Sequence, residues 1–314
     1  MAGYAVRRLL TAVPLLALIG FGAFMLTFMI PGDVAATIAG ESATPQRIEE
    51  VRRQLGLDDS ALTQFGRWAG GVLQGDLGTS MIHRIAVTQM IGERLGVTVS
   101  LVAFGLLIAV LVGVPAGLVA GLRPGRWTDR LVTVLTTLGL AVPAFWLATI
   151  LIIVFAINLG MLPATGFVPI TENPLRWLES MILPGLAIGA ASAADVARQS
   201  RSAVAETVGR DHVRTSRAMG LRPRSVVGRH VLKNSGIPIV TVASLQVERL
   251  LGAAVVVELM FAMPGLGQLT VSAVRARDIP TIQGVVLTIA VVVILVNLLV
   301  DLSYAWFNPR LRKR

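Results

Sequence analysis

Residues 212–234 read HVRTSRAMGLRPRSVVGRHVLKN, a run with six Lys or Arg, two of the three histidines and no acid. The chain around it is 54% hydrophobic and 15% charged, whereas soluble domains carry about 25% charged residues. So cationic a stretch, framed by apolar runs, is a loop between two membrane spans. Working outward from it, six apolar segments stand out, at about 9–30, 97–121, 131–157, 181–197, 236–262 and 284–307. At ~1.5 Å per residue most are long enough to cross a hydrocarbon core of ~30 Å. The expected fold is therefore an all-α polytopic membrane protein with six transmembrane helices.

The first run could be a signal peptide, but its apolar core is too long and no clean small-x-small cleavage site follows, so it reads as an anchor. Arginine placement sets the expected orientation. Arg7 and Arg8 open the chain, and Arg310, Arg312, Lys313 and Arg314 close it. With Arg123, Arg126 and Arg130 after span 2 and nine basic residues from Arg198 to Lys233, these pieces hold eighteen of the 28 Lys and Arg. The segment 31–96 carries six Arg against eight acids. Six spans with both termini cytoplasmic satisfy this distribution. The expected layout is a basic end and first span over 1–30, an extracytoplasmic helical segment over 31–96, a membrane-spanning core over 94–307 and a basic tail over 308–314.

Within the outer segment, Val51, Leu55, Leu62, Phe65 and Trp68 have helical spacing, and 47–80 is expected to form a short helical cap. Span 4 (PGLAIGAASAADVA, 184–197) is almost all small residues, with Gly185, Gly189 and Ala193 four apart. That spacing lets helix backbones approach closely, which predicts an internal helix.

The residue inventory excludes several chemistries. There is no cysteine, hence no disulfide, thiol catalysis or thiolate metal site. His83, His212 and His230 lack metal-ligand spacing. A phosphate-binding loop needs Gly-Lys before Ser or Thr, and the only lysines follow Leu232 and Arg312. No cofactor is expected on this chain; if ATP is used, another polypeptide binds it.

The bias of cytoplasmic loops toward arginine explains the charge of 212–234 but not its local order. Residues 211–220 read as a short helix stopped at Gly220 with Pro223 just beyond. A second helical run, 224–235, places Val226, Val227, Val231 and Leu232 roughly on one side. Two short helices around a glycine stop make a shaped docking element. No aromatic residue interleaves with the arginines, which argues against nucleic acid. Anionic lipid headgroups would be attracted as a side role.

The stretch DHVRTSRAMGLRPRSVVGRHVLKNSGIP (211–238) resembles the EAA loop of ATP-binding-cassette importer permeases, in the form of the dipeptide/oligopeptide/nickel group. The family's glycine falls on Gly220, and its His-x-Leu-basic-Asn falls on His230, Leu232, Lys233 and Asn234. Met219 and Ser216 depart from the commoner lysine and alanine. LGLD (55–58), QFGRW (64–68) and GDLGTS (75–80) resemble the outer segment of the first, B-type permease of such systems. VVVELMFAMPGLGQL (255–269), RDIPTIQG (277–284) and NLLVDLSYAWFNPRLR (297–312) resemble its last two spans.

The resemblance implies a type I importer permease fold with a coupling loop over 205–238. Its coupling residues would be Asp211, Arg214, Thr215, Arg217, Ala218, Gly220, Leu221, His230 and Asn234. It also implies partners: a second homologous permease, two cytoplasmic ATPases that use ATP and Mg, and an extracytoplasmic solute-binding protein. The cargo would be a di- or oligopeptide, glutathione, haem or a nickel chelate.

Asp195, Glu248, Arg249, Glu258, Asn297 and Asp301 fall in or at the edges of spans, where an ionised group costs on the order of 2.5–3.5 kcal/mol, so each is expected to face a cavity or a partner. Gln246, Glu248 and Arg249 are candidates for the solute pathway, with interhelical ion pairing as the competing role. Glu258, Pro264, Gly265 and Gly267 are candidates for an outer gate or a binding-protein contact. Pro115 and Pro143 are expected to bend spans 2 and 3. The rival readings are a stand-alone secondary transporter or channel and a membrane-anchored scaffold or sensor. The former would want paired intramembrane acids, which Glu248 and Glu258, ten residues apart on one helix, do not offer.

Overall fold

A computed structural model describes residues 2–29, 35–36 and 43–307. The basic tail at 308–314 and the side chain of Asp301 lie outside what is described. The helices are α1 (Ala2–Met29), α2 (Pro45–Leu55), α3 (Ala61–Leu73), α4 (Val87–Leu122), α5 (Trp127–Ala141), α6 (Ala144–Leu151), α7 (Pro174–Gly209), α8 (Asp211–Ala218), α9 (Lys233–Met260), α10 (Leu266–Ala276) and α11 (Ile279–Phe307). Among the described residues, five helices are long and apolar enough to span a membrane, or six when α5 and α6, bent at a break, are counted as one span.

The two prolines expected to bend helices behave differently. Pro115 lies inside α4, which runs on unbroken. Pro143 caps α6, and Val142 before it is extended (φ −84°, ψ 119°), so α5 and α6 meet at 97°. The proline ring disfavours helical backbone at the preceding residue, and here the helix stops there. Beyond α6 the chain loosens into a π-helix, Ile152–Asn158.

The chain forms two compact units. One contains Gly3–Leu95 and Gln268–Ile294. Its outer segment, expected as a short helical cap over 47–80, contains two helices. Thr44 and Ser60 cap their starts through the amides of Arg47 and Thr63, and Gly56 at φ 60° ends α2. Phe65 and Trp68 of α3 pack on Phe24 of α1 with ring centroids 5.5 and 5.7 Å apart. In the same unit the buried Asp278 carboxylate accepts from Ser80 Oγ (2.5 Å), the Met81 amide (3.1 Å) and Thr281 Oγ1 (2.7 Å), which pins the start of α11 to the 80–81 turn.

The other unit contains Gly96–Gly267 and the chain from Leu295 onward. Its core is α7: 78% of that helix's most apolar window is buried, against 17–39% for the other straight spans. Small residues explain this. Along α4, Gly113, Gly117 and Gly121 face α7 so closely that a Cβ would lie 2.6, 2.5 and 2.7 Å from the carbonyl oxygens of Ala193, Ala197 and Arg201. On the α7 side, a Cβ at Gly189 would meet the Gly105 carbonyl at 2.9 Å. The seam is backbone on backbone over several turns, as small residues every fourth position allow. At 36 residues, α7 is about 54 Å long, longer than the hydrocarbon core is thick, so it projects beyond the membrane.

Candidate functional site

The cationic loop begins where α7 ends. Asp211 occupies the first turn of α8 and Arg217 the last, each suited to its end of the helix dipole. The helix closes with the Leu221 amide donating to the Ser216 carbonyl (3.3 Å) and the Gly220 amide to Arg217 (3.0 Å), with Gly220 left-handed at φ 75°. A Cβ at Gly220 would meet nothing within 4 Å, so the constraint on this position is backbone conformation rather than space.

One face of α8 is buried, with Val213 at 0% and Ser216 at 3% exposure. Ser216 Oγ donates to the His212 carbonyl at 2.7 Å, which satisfies a buried hydroxyl. Val213 packs with Val204 of α7 and with Val226 and Val231 of the following segment, against Leu118 and Leu122 of α4. That segment, Val226–Leu232, is a π-helix. Its buried residues are five apart, matching hydrogen bonds that run from i to i+5, while Val227 and Leu232 are only half-buried.

The opposite face carries Asp211, Arg214, Thr215, Arg217, Ala218, Gly220 and Leu221, all exposed, with Met219 beside them. His230 is half-buried and its carbonyl accepts from Asn234 Nδ2 at 2.6 Å, while Asn234 itself is exposed.

Two polar ties hold this assembly to the spans. Ser235 Oγ at the start of α9 meets Thr207 Oγ1 of α7 at 3.0 Å. Asp129 of α5, nearly buried, takes Arg201 of α7 on both oxygens (2.5 and 2.8 Å) and also the Gly125 amide (2.8 Å). Neither Asp129 nor Arg201 was singled out from sequence; the partners lie 72 residues apart, and the only signal was an acid two residues before the apolar run of span 3.

Inside the bundle, Asp195 of α7 is a hub. Its buried carboxylate accepts from Arg198 Nη2 (2.9 Å), Arg249 Nη1 (2.6 Å) and Gln246 Nε2 (3.0 Å). Arg249 thus makes an interhelical ion pair, yet its side chain stays 65% exposed. Glu248 is exposed, does not pair with Arg249, and takes Asn297 Nδ2 at 3.3 Å. Gln246 is buried at 1% exposure, so it supports Asp195 and does not itself line an accessible surface.

Glu258 forms a second buried node, at 0% exposure. It accepts from Thr98 Oγ1 of α4 (2.6 Å) and the Gly267 amide (2.8 Å), while the Leu266 amide donates to Thr98 Oγ1 (2.8 Å). A Cβ at Gly265 would run into the Glu258 carboxylate, and one at Gly267 would lie 2.9 Å from it. The MPGLG turn is therefore folded around this carboxylate. Glu258, Gly265 and Gly267 are buried, and Pro264 alone of the four is exposed.

The chain superposes on a solved inward-facing structure of the MetNI methionine ABC transporter with TM-score 0.58 and 17% identity, over 70% of this chain and 97% of that one.

Residues 113–313 match the family model of the binding-protein-dependent transport system inner membrane component, and residues 1–102 match the model of its N-terminal region. The chain belongs to this family of multi-pass inner-membrane permeases. It is 38% identical over 312 residues to a putative peptide transport system permease protein of Brucella abortus, covering 99% of both chains. It is 41% identical over 312 residues to the glutathione transport system permease protein GsiC of Salmonella typhimurium, again covering 99% of both. The family assignment sets aside the stand-alone transporter and the scaffold.

Proposed function

We propose that this chain is one of two homologous permeases in an ATP-driven importer of di- or oligopeptides or a related solute such as glutathione. Both termini are cytoplasmic, and the loop containing α8 is on the same side. ATP and Mg are bound by two separate cytoplasmic ATPases, and an extracytoplasmic binding protein delivers the solute. The names of the relatives support the solute class; the arginine distribution supports the orientation.

The observation that carries the reading is the two-faced build of α8. Val213 locks the buried face, which also carries Ser216, to α7 and α4, while Arg214, Thr215, Arg217, Ala218 and Leu221 present the other to a partner. A displacement of α8 by the ATPases is passed through the Val204–Val213–Val226–Val231 core to α7 and α4, through Ser235–Thr207 to α9, and through Asp129–Arg201 to α5. The spans then alternate between inward and outward access. The MPGLG turn around Glu258 serves as the outer gate.

The test is ATP-driven uptake by vesicles containing the complex with its own partner subunits. Gly220→Val places a β-branched residue in a left-handed backbone, at a cost of about 1–2 kcal/mol, whereas Gly220→Asn is tolerated there. Uptake should fall in the valine variant and largely survive in the asparagine variant, with basal ATP hydrolysis retained in both. Equal uptake in both would remove the stop at Gly220 from the coupling step.

A further inference from the structure

Charge on the accessible face of α7 and α9 is separated in an unusual way. Arg198 and Arg249 share the single carboxylate of Asp195, which leaves one unit of positive charge at that node. Their side chains are 58% and 65% exposed, so each guanidinium keeps free donors directed outward. The balancing negative charge is Glu248, which pairs with neither arginine and meets only the amide of Asn297. The group is neutral as a whole, and Glu248 directly precedes Arg249 on α9, so the two signs stand at adjacent helix positions. Glu248 and Arg249 fall near the middle of the 236–262 span, where an ionised side chain is costly unless it meets water or a partner, so that side of α9 is not lipid-facing.

Arg249 is also positioned: the buried Asp195 carboxylate, itself held by Gln246 Nε2, accepts from Nη1 of its guanidinium, and a planar fork held at one nitrogen offers the others for a carboxylate. We propose that Arg198 and Arg249, held by Asp195, receive the carboxylate of a zwitterionic solute, while Glu248 receives its ammonium group. Asp195 and Gln246 are positioning residues in this scheme and touch no solute. The inference rests on the importer reading and gives that pathway its solute chemistry: a free carboxylate close to a free amine.

The chain has no cysteine, so Gly252→Cys introduces a single thiol. Position 252 shares the helix face of Glu248 and Arg249, is exposed, and has nothing within 4 Å of an added Cβ. In vesicles holding the complete complex, this thiol should react with both an anionic sulfonate and a cationic trimethylammonium thiosulfonate reagent. Arg249→Gln should lower the anionic-to-cationic rate ratio by about threefold or more, and Glu248→Gln should raise it. Ala-Ala and S-methylglutathione, which has no free thiol to consume the reagent, should slow the reaction of the otherwise unmodified Gly252→Cys complex, and the C-terminal amide of Ala-Ala should not. Arg249→Lys should retain part of that protection and Arg249→Gln none.

A thiol that reacts with neither reagent means that a protein or lipid covers this face, and overturns the proposal. Protection by neither solute, or equal protection by the amide, also overturns it. ATP-driven uptake by the same vesicles reports separately on the importer reading, so the two failures are distinguishable.

Discussion

Replacing Gly117 with alanine probes the α4–α7 seam, through which any motion of α7 reaches its neighbour. A Cβ at 117 would lie 2.5 Å from the Ala197 carbonyl oxygen, 2.6 Å from Ser200 Cβ and 2.9 Å from the Arg201 amide. Ordinary contact begins near 3.4 Å, so the helices must part by about 0.9 Å at this point. Two of the three obstructing atoms are backbone, and Gly113 and Gly121 are equally close one turn to either side, so tilting cannot relieve the clash. Overpacking costs about 1–3 kcal/mol, and the better helix propensity of alanine offsets up to about 1 kcal/mol. A net destabilisation of about 1–2 kcal/mol is expected.

Gly96 is the control on the same helix, since nothing lies within 4 Å of its would-be Cβ. Gly96→Ala should be neutral or stabilise by up to about 1 kcal/mol. The assay is thermal unfolding of the purified protein in detergent, followed by the fraction that stays monodisperse, with uptake measured in parallel. Opposite shifts of the midpoint are predicted. Equal shifts at 117 and 96 would refute the close seam.

The remaining predictions concern the polar ties. Glu258→Ala strips the buried Thr98 hydroxyl and Gly267 amide of an acceptor, at about 1–3 kcal/mol for each group left unsatisfied. Hydrogen exchange at residues 263–267 should speed up strongly while exchange in α8 stays unchanged; uniform acceleration would mean global unfolding rather than loss of the turn. Asp129→Asn breaks the two-point contact with Arg201, and because that arginine is 35% exposed the loss should be modest, about 1–2 kcal/mol. Uptake should fall by more than stability does, because α5 is released from α7; uptake that simply tracks stability would remove Asp129 from the transmission path.

Local features of the fold were legible in the sequence, and long-range ones were not. Six apolar runs located the spans, and glycine with proline at 220 and 223 located the end of α8, because hydropathy and turn chemistry are written in neighbouring residues. In the outer segment the spacing of Val51 through Trp68 marked helix, whereas the boundary at Gly56, whose left-handed backbone ends α2, emerged only in the structure. The recurrence of Gly113, Gly117 and Gly121 was visible but was absorbed into an apolar run, while the same spacing in α7 was read. Asp195 was recognised as costly, but its partner Arg249 lies 54 residues away, and Thr98 lies 160 residues from Glu258. Such pairings depend on helix rotation, which a single sequence does not encode locally. The π-helix at 226–232 left no signature beyond two valines five apart.

The most direct test of the central claim uses the exposed face of α8 in this cysteine-free chain. Thr215→Cys, carrying a short bifunctional cross-linker, should yield an adduct with the co-expressed ATPase subunit in the intact complex, while a cysteine at Pro264 should not. Absence of a Thr215 adduct with the ATPase in a complex that still imports solute would contradict the account.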